Sequence, residues 1–233
     1  MANEGRRLSQ MDRHRIGIVI PALNEARTIR SLVANACRYG LPIVVDDGSC
    51  DETGELATFA GAIVVRHERN LGYDRALSSG FERASEINCA YVVTMDADGQ
   101  HDPTILKSFI SALDDGADLV IGVRDRMQRL GEHIFSWVAY LKWGIRDPLC
   151  GMKGYRIGLY QERGHFDSYD SIGTELTIYA ARMRRHIVQI PIKTSERTDI
   201  PRFGRCFSAN KRIFHALRYA FTESPNAMRG RTQ

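Results

Sequence analysis

Tyr91-Val92-Val93-Thr94-Met95-Asp96-Ala97-Asp98 joins a short apolar run to two carboxylates one residue apart. A run this short, rich in β-branched residues, reads as a buried strand of the kind found inside a parallel sheet. The two aspartates at its carboxyl end are poor core residues, because each costs several kcal/mol to bury unpaired. A bound cation would remove that cost. Alternation along an extended chain puts both side chains on one side, and Gly99-Gln100-His101-Asp102 adds a turn with further donors. Hard oxygens of this kind suit Mg²⁺ or Mn²⁺, whose remaining ligands are water and substrate phosphate. The plainer alternative has Asp96 capping the turn and Asp98 solvated, and the spacing by itself leaves both open.

Upstream of this run the pattern repeats. Ile16 to Ile20 is a β-branched run stopped by Pro21, and Asn24 to Thr28 opens a helix with apolar positions Ile29, Leu32, Val33 and Ala36 at helical spacing. Ile43 to Val45 forms a second strand ending in Asp46-Asp47-Gly48-Ser49. Ser49 or Asp51 caps a helix from about Glu52 to Phe59, and Ala62 to Val65 is a third strand. Asn70-Leu71-Gly72 leads into a helix through Ala76, Leu77, Gly80, Phe81 and Ala84. Downstream, Pro103 starts a helix through Leu106, Phe109, Ile110 and Leu113, and Leu119 to Gly122 is a further strand.

Short strands alternating with amphipathic helices imply an α/β fold: a Rossmann-like, mostly parallel sheet with helices on both faces. Ligands on such sheets bind at the carboxyl ends of the strands. Pro21 to Glu25, Asp46 to Ser49, Asp96 to Gln100 and Arg124 each follow a strand, so one rim collects them. A nicotinamide or flavin site would need a G-x-G-x-x-G turn after the first strand. Here that turn is Pro21-Ala22-Leu23-Asn24-Glu25, without a glycine for close approach to a pyrophosphate, which argues against that class.

Size and composition bound the rest. The 233 residues suffice for one large domain, and neither the hydrophobic fraction (43%) nor the charged fraction (26%) is unusual for a globular protein. No apolar stretch approaches the ~20 residues of a membrane span. Residues 1–15 are polar and basic without an apolar core, and read as a flexible leader rather than a secretory signal. The expected location is cytoplasmic, with the inner face of a membrane as a second possibility. The five cysteines are scattered and never in C-x-x-C spacing, which argues against a disulfide framework or a zinc site. Net charge is only +4, but acidic residues crowd the first half and basic ones the second. That asymmetry fits nucleic acid, an anionic membrane face, or a phosphorylated substrate held against a metal.

Taken together, Ile18 to Glu25 (I-V-I-P-A-L-N-E), Val44 to Ser49 (V-V-D-D-G-S), Arg69 to Gly72 (R-N-L-G), Met95 to His101 (M-D-A-D-G-Q-H), Gly122 to Arg124 (G-V-R) and Asp147 to Arg156 (D-P-L-C-G-M-K-G-Y-R) resemble family 2 glycosyltransferases of the GT-A fold. The chain is similar to the dolichyl- and polyprenyl-phosphate sugar synthases of that family, but without transmembrane segments. The resemblance implies a GT-A domain over residues 16–208, followed by a C-terminal amphipathic helix and tail over 209–233. It also implies inverting transfer of a sugar from a nucleoside-diphosphate sugar, with Mg²⁺ or Mn²⁺, to a cell-envelope polysaccharide or glycolipid acceptor. The alternatives are a polyprenyl-phosphate sugar synthase and a nucleotidyltransferase. The latter lacks support from any glycine- and lysine-rich phosphate loop near the N-terminus.

The same matching implies roles. Pro21, Asn24 or Glu25, and Asp47 would contact base and ribose, with Asp46 a structural neighbour; Asp96 would lie near ribose or metal; Asp98 would ligate the metal, joined by Gln100. Arg124 would sit by the phosphates, its alternative being an exposed pairing with Asp125. Asp147 would orient the sugar or take a proton, or merely make a turn before Pro148. Glu175, opening a helix from Ser171 through Ile178, Tyr179 and Met183, would lie near the acceptor. A hydroxyl acceptor needs a base, for which Asp147 and Glu175 are the candidates; a phosphate acceptor needs none. Arg197 and Arg202, with Arg205, are candidate clamps for acceptor phosphate, although the chain reads Thr198 to Gly204 where relatives carry G-x-S-K. Ile213, Phe214, Leu217 and Phe221 make an apolar stripe that fits core packing or peripheral membrane contact. A nucleic-acid partner is not expected, since it would leave the acidic rim unexplained. Leu23 stands where some relatives have tyrosine, so the nucleobase is open.

Overall fold

The computed structural model describes residues 15–99, 103–125, 130–166 and 173–193. Gln100, Arg197, Arg202, Arg205 and the stretch 209–233 therefore lie outside the described residues. The first half runs β1 (Ile16–Ala22), α1 (Ile29–Ala36), β2 (Leu41–Asp46), α2 (Thr53–Phe59), β3 (Ile63–Arg66), α3 (Tyr73–Glu86) and β4 (Tyr91–Thr94). A 3₁₀ turn (Pro103–Ile105) precedes α4 (Leu106–Asp114), β5 (Leu119–Arg124), α5 (Leu130–Trp143), β6 (Lys153–Arg156), α6 (Ile157–Arg163), α7 (Glu175–Arg182) and β7 (Ile187–Ile192).

All seven strands form one sheet in the order β3-β2-β1-β4-β6-β5-β7. β6 alone runs antiparallel to its neighbours, wedged between β4 and β5. Alternate residues of β1 separate the two faces of the core. Ile16, Ile18 and Ile20 belong to the core cluster that also draws on α1, α2 and α4, whereas Val19 belongs to the one that draws on α3, α5, α6 and α7. α3 can approach β1 closely because position 80 is glycine, where a Cβ would collide with Val19.

Several local expectations change. Pro21 does not stop β1: it sits in register with Val45, and the strand continues to Ala22. Pro103 opens a 3₁₀ turn, with the α-helix starting at Leu106. Glu52, before α2, makes no side-chain cap, but Asp51 accepts the Thr53 N–H at 3.1 Å, so it does secure the start of that helix. No helix among the described residues is long and apolar enough to cross a membrane.

Candidate active site

The carboxyl ends of β1, β2, β4 and β5 share one rim, and the loops leaving them are stitched together. Asn24 adopts the left-handed conformation (φ 52°) that asparagine tolerates better than most residues. Its N–H donates to Ser49 Oγ at 2.9 Å and its side-chain oxygen accepts the Cys50 N–H at 2.8 Å. The Glu25 N–H donates to Thr53 Oγ1 at 2.7 Å and the Ala26 N–H to Asp51 Oδ2 at 3.2 Å. Thr28 then donates to Ala97 O at 2.9 Å, tying the first loop to the D-x-D turn. Pro21 lies half-buried at the base of this seam.

Asp46 and Asp47 are both buried and both engaged. Asp46 accepts the Ser49 N–H and the Arg66 Nε–H, each at 3.0 Å. Asp47 accepts the N–H groups of Leu71 and Gly72, each at 2.8 Å, and pairs with His67 Nδ1 at 2.7 Å. His67 is held in turn by Ser79 at 2.9 Å. Asp47 thereby fixes the turn in which Gly72 has φ 96°, a conformation that favours glycine. A groove of about 480 Å³ lies outward of this pair, lined by Gly48, Ser49, Cys50, Arg66, His67 and Glu68. The D-x-D carboxylates do not line it.

β4 ends at Thr94, and Ala97 and Asp98 already lie in a turn. The strand pleat therefore does not by itself set the two carboxylates on one side. Asp96 is half-buried and accepts the Tyr73 hydroxyl at 3.1 Å. Burial, then the charge of Asp96, holds the Tyr73 phenol well above its ordinary range, so it remains a donor. Gly151 passes so close that a Cβ there would come within 2.5 Å of Asp96 Oδ2. Asp98 is also half-buried. Among the described residues no three His, Cys, Asp or Glu side chains group to hold a metal ion. Two aspartates still fit Mg²⁺ or Mn²⁺, because these ions are commonly held by one or two carboxylates, with water and substrate phosphates completing the shell.

At β5 the structure brings together two residues expected to act apart. Arg124 grips Asp147 with Nε at 2.8 Å from Oδ2 and Nη2 at 2.9 Å from Oδ1, and its backbone N–H donates to Oδ2 at 3.1 Å. Glu132 Oε2 adds a third acceptor at 3.3 Å. The partners of Arg124 are thus Asp147 and Glu132, in place of the exposed pairing with Asp125. Burial opposes its charge, but the hydrogen bonds and charge of Asp147 outweigh it and raise the pKa above the ordinary arginine value. Cys150, buried beside them, has its thiol pushed up to about 12 by burial and then by Asp147, so it stays protonated.

Glu175 is also fully buried: Oε1 lies 2.8 Å from Arg163 Nη2 and 2.7 Å from His165 Nε2. Lys153, which sequence patterning does not mark, lies buried in β6 with its ammonium on Gly173 O at 2.8 Å, and burial lowers its pKa to about 8. The Gly173 N–H donates to Asp74 Oδ1 at 2.7 Å. Tyr73 and Asp74, adjacent at the start of α3, therefore hold the D-x-D carboxylate and the segment before Glu175 respectively. The one signal for Lys153 is a cation in a four-residue strand directly after the D-P-L-C-G segment.

Residues 17–163 match the sequence model of glycosyl transferase family 2. Among curated proteins, an uncharacterized protein of Methanocaldococcus jannaschii is 30% identical over 216 residues, covering 83% of this chain and 87% of its own. A UDP-N-acetylglucosamine–dolichyl-phosphate N-acetylglucosaminyltransferase of Methanococcus voltae is 27% identical, covering 77% of this chain and 85% of its own. A polyprenol monophosphomannose synthase of Mycolicibacterium smegmatis is 30% identical, covering 77% of each. Among solved structures, glucosyl-3-phosphoglycerate synthase from Mycobacterium tuberculosis, in complex with Mn²⁺, uridine diphosphate and phosphoglyceric acid, superposes with a TM-score of 0.72 at 21% identity, over 90% of this chain and 80% of that one. The mostly parallel sheet described above is thus the GT-A architecture.

Proposed function

Because this chain belongs to glycosyl transferase family 2, we propose that it transfers a sugar from a nucleoside-diphosphate sugar to the phosphate of a polyprenyl carrier, with inversion at the anomeric carbon. One observation carries the choice of acceptor. Both carboxylates that could serve a hydroxyl acceptor as base, Asp147 and Glu175, are fully buried and bound to arginine. A carboxylate whose oxygens are turned to arginine and closed off from solvent is not placed to reach the proton of an incoming hydroxyl. A phosphate monoester arrives as an anion and needs no base. The relatives from Methanococcus, a dolichyl-phosphate N-acetylglucosaminyltransferase, and Mycolicibacterium, a polyprenol monophosphomannose synthase, support the same choice.

The loops at β1 and β2, stitched through Asn24, Glu25 and Ser49, form the wall for base and ribose, with Pro21 beneath and Asp46 and Asp47 keeping that wall in place. Asp98 and Asp96 would hold the Mg²⁺ or Mn²⁺, joined by Gln100. When bound, the ion neutralises charge building on the departing nucleoside diphosphate. Tyr73 keeps the Asp96 carboxylate oriented, and Gly151 lets the segment from Asp147 close over it. The acceptor oxygen forms the new bond to the anomeric carbon as the bond to the diphosphate breaks, and the nucleoside diphosphate leaves with the electron pair. Arg197 and Arg202 are proposed as acceptor-phosphate ligands.

A hydroxyl acceptor on a polysaccharide or glycolipid is the second reading, favoured by the exposed edge of His165 next to Glu175. The two separate in one assay. The chain is given a nucleoside-diphosphate sugar, chosen by thermal shift with Mn²⁺, together with polyprenyl phosphate or the free polyprenol. Transfer to the phosphate alone is expected; transfer only to hydroxyl acceptors sinks the proposal.

A further inference from the structure

Asp96, the carboxylate proposed to hold the metal ion, is set between two supports. Its Oδ1 accepts the Tyr73 hydroxyl at 3.1 Å, and its Oδ2 faces Gly151, where a Cβ would come within 2.5 Å. Each support is continuous with a buried charge: Asp74 follows Tyr73 and is 5% exposed, and Lys153 lies just past Gly151 and is 2% exposed. Both charges end on one peptide group. The Gly173 N–H donates to Asp74 Oδ1 at 2.7 Å, and the Lys153 ammonium donates to Gly173 O at 2.8 Å. Thr94, just before Met95 and Asp96, closes the ring. Its hydroxyl donates to Gly151 O at 2.6 Å and accepts the Lys153 N–H at 3.1 Å. From Asp96 the links run through Tyr73, Asp74, Gly173, Lys153 and Thr94 back to Asp96.

Stability does not account for an ammonium at this place. Taking its charge out of water is costly, one carbonyl returns only part of that cost, and an apolar side chain of similar length would fill the space more cheaply. The charges of Asp147 and Asp74 favour the ammonium but do not offset burial, which sets its pKa at about 8. What it offers and an apolar chain does not is a directed bond to the Gly173 carbonyl. We infer that Lys153 is a positioning residue for the metal site: by gripping Gly173 against Asp74, it fixes how Asp96 presents its carboxylate to the divalent ion. It acts through Gly173, Asp74 and Tyr73 on one side and through Thr94 and Gly151 on the other. Partners that orient a metal-binding carboxylate raise its affinity for the ion. The inference rests on the transfer reaction proposed above, in which Asp96 is a metal ligand.

Titration calorimetry with and without Mn²⁺ tests it, using whichever of uridine, guanosine and thymidine diphosphate raises the native melt most. Lys153→Met should weaken the Mn²⁺-dependent binding about tenfold and leave the number of sites unchanged. A lysine that serves folding alone would do the reverse: fewer competent sites, each of native affinity. Tyr73→Phe should also cost about tenfold, and the double variant about tenfold rather than a hundredfold, because both cuts open the same ring. Gly173→Ala decides if Lys153→Met does not fold. Its methyl meets Leu77 Cδ1 at 3.4 Å, an ordinary contact, but the left-handed backbone (φ 63°) disfavours alanine, so the bonded peptide shifts and binding should weaken by about threefold or more. Native affinity in Lys153→Met, or in Gly173→Ala where that variant decides, overturns the inference, as does a hundredfold loss in the double variant. These outcomes leave the transfer reading standing. Native chain that binds none of the three diphosphates, or binds equally without Mn²⁺, would sink the metal-dependent transfer reading and this inference with it.

Discussion

Arg124 and Asp147 close on each other through two side-chain contacts, at 2.8 and 2.9 Å, with the carboxylate fully removed from solvent. Two groups suited to handling phosphate and proton spend most of their bonding capacity on each other, and the pair pins the D-P-L-C-G segment to the end of β5. Asp147→Asn keeps the shape and removes the charge, leaving Arg124 without its main counterion. The expected loss is about 3 kcal/mol in urea unfolding, with partial recovery in the double variant Arg124→Met/Asp147→Asn. Losses that simply add would mean the two side chains act independently.

Asp47 acts as a clamp on the turn before α3. Asp47→Ala leaves two backbone donors and His67 without their acceptor, which should cost about 2 kcal/mol. Hydrogen exchange at the Leu71 and Gly72 amides should rise well beyond exchange at the centre of β1. Protection unchanged at those two amides would show that other contacts hold the turn.

Gly151→Ala isolates the approach to Asp96. The backbone there is not in the left-handed region, so the effect is steric: the new methyl meets Asp96 Oδ2. Metal-dependent nucleotide binding should weaken by about tenfold, about 1.4 kcal/mol, with the melt little changed. Isothermal titration with Mn²⁺ and nucleoside diphosphate checks it, and full-strength binding would separate Asp96 from the metal.

Lys153 gives stability a pH signature. Its folded pKa, lowered to about 8 by burial, lies below that of the unfolded chain. Between the two values the unfolded state binds more protons, so this group makes stability rise with pH from about 8 and contributes no slope well below that. Cys150 and Cys89, pushed up to about 12 and about 11 by burial, pull the other way once their unfolded thiols ionise near pH 9. Urea midpoints at pH 7.5 and 8.5 should differ by on the order of 1 kcal/mol in the native chain. Lys153→Met should remove the rise and leave only the small fall that the two thiols give; a rise that survives it belongs to another group.

The first half was legible in the sequence because each buried strand is followed by its own helix, and period and turn residues act locally. The second half resisted. β6 is four residues, Lys-Gly-Tyr-Arg, two of them cationic, and it is a strand only because β4 and β5 pair with it on either side. α5 mixes apolar residues around its circumference, so periodicity separates its inner face from its outer one poorly. At the site the residue types were readable and the partnerships were not: Arg124 meets Asp147 across 23 positions, and Asp47 meets His67 across 20. The pleat expected to align Asp96 with Asp98 ends two residues too early, where Thr94 makes the last strand pair.

The insertion of β6 has a consequence for how the chain emerges from the ribosome. Thr94 waits for Lys153, 59 positions later, before the free flank of β4 is covered. Until then a nascent chain bears a bare parallel edge beside the D-x-D turn, the sort of template on which neighbouring copies pair wrongly. Synthesis slowed or truncated before residue 156 should therefore give aggregates, even though every strand from β1 to β4 is already made.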